Sequence, residues 1–274
     1  MQTPLQDGVW HELRATEDIS IAEFAVIFDS DPYNEAASFP ADRKIYMSRE
    51  ALDSKSIKRH SVREYRHFSF WNGTGYLPVK WSYTDLSPTG AGYSGIELNY
   101  LELSELRVPP KTKLICSTLS SKTLTRGHRI RLKFTKKFMA EYPELDVYGS
   151  APLANSSLLD NSKTKTLMPY AFQLAFDNQC HLNDFVGTQF TDSLLLWSKP
   201  IFWGSRDVFK FYPRNSFLWF DADKPKREIP RILEELCFER YVDSLSAIEE
   251  ARDRVLNTYN LWPTLENILD AEEA

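Results

Sequence analysis

KTKLICSTLSSKTLTRGHRIRLKFTKKFMAEYPELDVYG, residues 111–149, carries the rhythm that decides the fold. LICSTL (114–119) is a short apolar run with a β-branched residue, the pattern of a buried strand. SSKTLTRGH (120–128) is polar and reads as a loop. RIRLKFTKKFMAEY (129–142) then places Ile130, Phe134, Phe138 and Met139 close to helical spacing. LDVYG (145–149) returns to a strand. Strand, helix and strand at these lengths form a crossover unit, which joins parallel strands.

Working outward, the alternation continues toward the C-terminus. APLANSSLLDNSKTKT reads as a long exposed connection, YAFQLAFDN (170–178) as a strand and DFVGTQFTDSLLLWS (184–198) as a helix. KPIFWGS (199–205) and SFLWF (216–220) are further strands, and the stretch from Glu228 to Leu256 is helical. Toward the N-terminus, FAVIF (24–28) and KIYM (44–47) are strands. Between Ser61 and Val79 aromatics alternate with basic and polar residues, which suggests strand, turn, strand. LSPTGAGYSG (86–95) and VPPK (108–111) interrupt regular structure, the paired prolines more strongly. The expected class is α/β, with a mostly parallel sheet covered on both faces. The expected domains are 1–109 and 110–274.

A chain of 274 residues suits one large domain or two modest ones. Its 33 basic and 38 acidic residues leave a net charge of −5, so no overall field attracts nucleic acid or anionic lipid. With 42% hydrophobic and 26% charged residues the composition is that of a globular chain. No stretch approaches the roughly 18 consecutive apolar residues of a spanning helix, and the first residues lack the basic and apolar blocks of a secretory signal. The expected setting is therefore cytoplasmic. Cys116, Cys180 and Cys237 are odd in number and widely spaced, as buried thiols rather than a disulfide framework.

In a parallel sheet, ligands bind beyond the carboxyl ends of the strands. Here those positions hold 120–129, 178–189 and 204–206. Lys122, Arg126, His128 and Arg129 cluster directly before the expected helix, where a phosphate or diphosphate is favoured by both cations and helix dipole. Gly-x-Gly-x-x-Gly occurs once, as Gly90-Ala91-Gly92-Tyr93-Ser94-Gly95, but in the Pro/Gly-bearing stretch rather than between an expected strand and helix, and Gly-x-x-x-x-Gly-Lys is absent, which disfavours dinucleotide and P-loop enzymes. Asp29-Ser30-Asp31 and Asp221-Ala222-Asp223 could hold a metal beside a nucleotide, but each follows a strand and leads into proline, so turn duty is the favoured reading. The basic-aromatic segment 59–71 reads as a half-buried hairpin rather than a nucleic-acid platform. The five histidines show no metal-ligand spacing with cysteines.

Three stretches in order resemble the family 10 glycosyltransferases, the α-1,3/1,4-fucosyltransferases. They are KTKLICSTLSSKTLTRGHRIRLKF (111–134) followed by LDVYG; YAFQLAFDNQ (170–179), similar to Tyr-Lys-Phe-x-Leu-x-Phe-Glu-Asn; and DFVGTQFTDSLLLWSKPIFWGSRDVFKFYPRNSFLWFD (184–221). The resemblance implies a GT-B-like architecture, two Rossmann-like domains with a donor cleft between them. It implies inverting, metal-independent transfer of a sugar, most simply fucose from GDP-fucose, to a glycan hydroxyl, with no cofactor beyond the donor. Without a metal, cations must meet the charge that develops on the leaving diphosphate, and a carboxylate must take the acceptor's proton.

By that resemblance Arg129 reaches the diphosphate, with Lys122, Arg126 and His128 beside it. Asn178 follows the strand, Asp177 replaces the family glutamate, and Phe185 packs near the base. In YMSREA (46–51), Glu50 is the candidate catalytic base. One departure matters: the family's Thr-Glu-Lys aligns with Gly187-Thr188-Gln189, so Thr188 and Gln189 stand where a ribose-binding glutamate and a diphosphate-binding lysine are usual. The resemblance thus leaves three readings open: fucosyl transfer, transfer from another nucleotide sugar such as a UDP-linked one, or a catalytically silent glycan- or nucleotide-binding relative.

Overall fold

The computed structural model describes residues 7–28, 34–47, 67–69, 96–159, 162–177 and 186–270. A first hairpin, β1 (Val9–Trp10) and β2 (Leu13–Arg14), precedes a parallel three-stranded sheet of β3 (Ala25–Phe28), β4 (Lys44–Met47) and β5 (His67–Ser69) in the order β3-β4-β5. The FAVIF and KIYM runs are thus strands, as read. Ser69 and its two predecessors form a strand parallel to β4, so this part of the aromatic segment joins a sheet; the rest of the expected hairpin lies outside the described residues.

The remainder of the chain runs α1 (Tyr100–Glu105), β6 (Lys113–Thr118), α2 (Arg126–Glu141), β7 (Asp146–Tyr148), α3 (Lys163–Leu167), β8 (Tyr170–Phe176), α4 (Thr188–Leu195), β9 (Lys199–Trp203), α5 (Val208–Phe211), β10 (Leu218–Trp219), α6 (Pro225–Glu235), α7 (Phe238–Val242), α8 (Leu245–Asn257) and α9 (Leu261–Asp270). Its five strands are all parallel, in the order β10-β9-β8-β6-β7. All seven residues of β8 are buried, as expected of a central strand covered on both faces. Pro200, which has no N–H, is accommodated because β10 pairs only with Ile201 and Phe202 of β9.

Side-chain alternation assigns the faces. Phe176 is registered with Trp203, whereas Ala175 is registered with Phe202. Phe134 of α2 meets Phe176 at 6.0 Å and Phe220 at 4.7 Å between ring centroids. Phe190 of α4 meets Phe202 at 4.8 Å on the opposite face. The core also takes in Leu103 of α1, which is wholly buried. Trp10 and His11 reach Glu266 of α9, at 3.3 Å from Trp10 Nε1 and 2.6 Å from His11 Nδ1, so the beginning of the described chain is tied to its last helix.

Three local boundaries differ from the sequence reading. Helix α2 begins at Arg126 rather than 129, because Thr125 caps it with an unusual partner, His128. Thr125 Oγ1 accepts from the His128 N–H at 3.1 Å, and the Thr125 N–H donates to His128 Nδ1 at 3.2 Å. The long connection after β7 is not wholly irregular: Ser162 caps α3, which buries Thr164, Thr166 and Leu167. The expected 184–198 helix starts only at Thr188, behind Gly187. Gly149 closes the β7 end at φ +110°, with Leu119 O only 2.3 Å from where a Cβ would stand, so no side chain fits there.

Candidate active site

The strand order locates the site before any side chain is considered. From β6 the chain crosses to β7 on one side; from β8 it crosses to β9 and then β10 on the other. The direction of winding therefore reverses between β6 and β8, and the crevice beyond their carboxyl ends is a topological switch point. The loop into α2 leaves β6 there, and the loop into α4 leaves β8.

Gln189 spans that switch point. Its Nε2 donates to Thr118 O at 2.9 Å, at the end of β6, and its Oε1 accepts from the Phe176 N–H at 3.0 Å, at the end of β8. Both ends of the amide are thus committed to backbone. Thr188, half-buried at the start of α4, offers its carbonyl to Thr191 Oγ1 at 3.2 Å. Removing the amide in Gln189→Ala leaves the Phe176 N–H and Thr118 C=O without this partner, and urea unfolding should register a loss of about 1–3 kcal/mol. Gln189→Lys should recover part of it, since an ammonium can donate to Thr118 O but cannot accept from Phe176. Equal stability of all three proteins would refute the strap.

The α2 end carries the cations. Lys122 and Arg129 are exposed, and neither has a carboxylate partner among the described residues. Arg129 sits in the first turn and donates from Nη1 to Thr123 O at 3.0 Å. Arg126 pairs with Asp223 at 3.1 Å, across to the turn after β10. That turn is the Asp221-Ala222-Asp223 triplet, and its carboxylates serve the chain itself: Asp221 Oδ1 accepts from the Asp223 N–H at 3.1 Å, and Asp221 pairs with Lys224 at 3.0 Å. Arg206, after β9, stacks over the Trp219 ring at 4.8 Å. Cations in the first turn of a helix oppose its dipole unless an anion joins them.

His128 stands among these charges with a buried ring, Nδ1 lying 2.6 Å from Thr125 Oγ1. Burial first, then the charges of Arg131, Lys122 and Arg129, push it down to about 4. Since its folded value lies below the ordinary 6.5, the stability linked to the neutral ring is present above 6.5 and is lost as pH falls toward about 4. His128→Gln retains a side chain suited to the third helical position and should flatten that acid limb in unfolding experiments. Parallel pH profiles for the two proteins would remove His128 as its source.

Arg131 is a feature that sequence reading missed. It is 4% exposed, donates from Nη2 to Ser120 Oγ at 2.6 Å, and is lowered to about 10 by burial. It thereby holds Ser120, the second residue after β6. The available signal was its position three residues before Phe134 and seven before Phe138, on the apolar face of α2. Glu50, Asn178 and Phe185 lie outside the described residues, as does Cys180. Cys116 is fully buried and Cys237 half-buried, both as free thiols.

Two parallel sheets lie in one chain, and the larger brings a cation-bearing helix start to its switch point, where α/β proteins bind their ligands. Residues 108–241 match the family model described as "Glycosyltransferase family 10 (fucosyltransferase) C-term". The chain is 27% identical over 135 residues to a 4-galactosyl-N-acetylglucosaminide 3-alpha-L-fucosyltransferase, FUT5, of Gorilla gorilla gorilla, covering 48% of this chain and 34% of that protein. It is 23% identical over 233 residues to FUT6 of Pongo pygmaeus, of the same printed activity, covering 75% of this chain and 62% of the relative. The match thus spans about a third of the first relative's length and under two thirds of the second's. An alpha1,3-fucosyltransferase crystallised with GDP superposes with a TM-score of 0.48 at 15% identity, over 88% of this chain and 81% of the other. Among the described residues no helix is long and apolar enough to cross a membrane.

Proposed function

We propose that the chain transfers a sugar, fucose from GDP-fucose in the first instance, to a hydroxyl of a carbohydrate acceptor with inversion. The observation that carries this reading is the placing of Arg129 and Lys122, cations without carboxylate partners among the described residues, in the first turn of a 16-residue helix and the loop before it, beside the switch point. A diphosphate there would meet the helix dipole and both side chains. As the glycosidic bond to the nucleoside diphosphate breaks, charge grows on the leaving oxygens. Arg129, Lys122 and Arg126 would meet it, supplying what a metal supplies elsewhere. In this reading Asn178 and Phe185 contact the donor, and Glu50 takes the acceptor's proton.

The commitment of Gln189 to backbone favours a second reading in which the donor differs or turnover is lost. A residue that straps β6 to β8 is engaged at both polar ends, so the diphosphate is left to the α2 cations. Calorimetry with GDP, UDP and GDP-fucose, followed by transfer assays on glycan acceptors, separates the cases. GDP binding with fucosyl transfer supports the first, and UDP preference supports another donor. Nucleotide binding without transfer supports a silent relative, and no nucleotide binding at all refutes the proposal.

A further inference from the structure

Asp177 directly follows Phe176, the last residue of β8, at the carboxyl end of the sheet. It is 3% exposed. Its Oδ1 accepts from the Gly187 N–H at 3.0 Å, immediately before α4, and its own N–H donates to Trp203 O at 2.9 Å, at the end of β9. The other oxygen, Oδ2, is enclosed and has no hydrogen-bond partner among the described residues. It packs against bare backbone: a Cβ on Gly204 would stand 2.4 Å from Oδ2 and 2.2 Å from the Phe202 ring. Gly187, Phe202, Trp203 and Gly204, which it meets, carry no titratable group.

An ionised carboxylate so enclosed, with one N–H and no described cation, bears a desolvation penalty that nothing nearby offsets. A neutral acid avoids that penalty and still accepts from Gly187. Burial accordingly holds the carboxyl well above the usual carboxylate range, against the smaller opposite pull of the Gly187 N–H.

We propose that Asp177 is a positioning residue of the donor site that works as a neutral carboxylic acid, fixing the start of α4 to the ends of β8 and β9. The proposal rests on the donor-site reading above. Gln189 fixes the same helix to β6 and β8, so the two side chains tie the start of α4 to these strand ends, while the Asp177 backbone N–H holds the end of β9. In this account the departure from the family glutamate matters for its protonation, because the shorter acid lies wholly inside.

The folded value is raised, so the contribution of the neutral acid is fully present below 3.8 and is lost as pH rises through the folded value. Asp177→Asn preserves shape and neutrality, whereas Asp177→Ala removes the Gly187 contact. Infrared difference spectra of the full chain should show a protonated carboxyl band at neutral pH that is missing in Asp177→Asn. Urea unfolding of Asp177→Asn should lack the loss of stability expected of the wild type as pH rises. With GDP as probe, Asp177→Asn should bind within about threefold of wild type and Asp177→Ala about tenfold more weakly. The donor KM should move more than kcat. A carboxylate band in place of the acid band overturns the proposal, as does equal loss of GDP binding in both variants. If wild type binds no nucleotide, the donor-site reading falls, while the infrared and unfolding results still decide the protonation state.

Discussion

Arg129→Ala should lower sugar transfer by about 100- to 1,000-fold in kcat while leaving thermal unfolding unchanged, the size of effect seen when one donor aimed at a developing oxyanion is removed. The structural half of this expectation follows from exposure. Arg129 donates one hydrogen bond, to the carbonyl of Thr123 on a polar loop, and has no ion pair among the described residues. Water replaces such a contact at little cost. The catalytic half follows from placement, since an arginine four residues after the cap of α2 opposes the helix dipole until an anion arrives. Lys122→Ala should cost less, because a flexible ammonium lacks the two-pronged geometry of a guanidinium. Steady-state transfer kinetics with GDP-fucose, alongside calorimetric unfolding, check both halves. Near-normal kcat in Arg129→Ala would remove the residue from the diphosphate role.

Phe190→Ala should be the most damaging change to stability near the site, by about 3–5 kcal/mol. Phe190 is wholly buried, with ring centroids 4.8 Å from Phe202, 5.0 Å from Tyr212 and 5.4 Å from Phe217. These neighbours come from β9 and the segments on either side of the 3-10 turn at Arg214–Ser216. A void left by the ring would be bounded by rigid aromatics, which collapse poorly onto each other. The damage should also reach the site, because Phe190 follows Gln189 in the first turn of α4. Phe190→Leu should retain more than half of the lost stability, since it refills most of the volume. Guanidinium unfolding of the three proteins gives the ranking; a loss under about 1 kcal/mol in Phe190→Ala would mean the face repacks freely.

The departure at Gly187-Thr188-Gln189 takes on a physical sense in the fold. By the resemblance read from the sequence, Gln189 is expected where a lysine would approach a diphosphate. The structure gives both ends of its amide to the backbone of two strands that the chain brings together across the switch point. A lysine there could not accept from Phe176. Restoring the lysine therefore changes the scaffold as well as the charge, and Gln189→Lys is not a simple gain of a cation.

What the residues determined alone are the elements whose cause is local. YAFQLAF and KPIFW are continuous apolar runs and became buried strands; the spacing of Phe134 and Phe138 made one face of α2; the order of these runs made the larger sheet parallel. The expected place of the candidate site, beyond the carboxyl ends of β6 and β8, followed from the same alternation. The start of α2 was less visible, because its cap uses a histidine where glutamate or glutamine is the usual signal. Tertiary structure decided the rest: that Gln189 meets Thr118, 71 positions earlier in the chain; that Arg131 turns inward to Ser120; and that Asp177 is sealed beside Gly204. Periodicity reports which face a residue occupies. The partner of a polar atom, and hence its charge state, is set by whichever distant backbone the packing of strands and helices brings within about 3 Å.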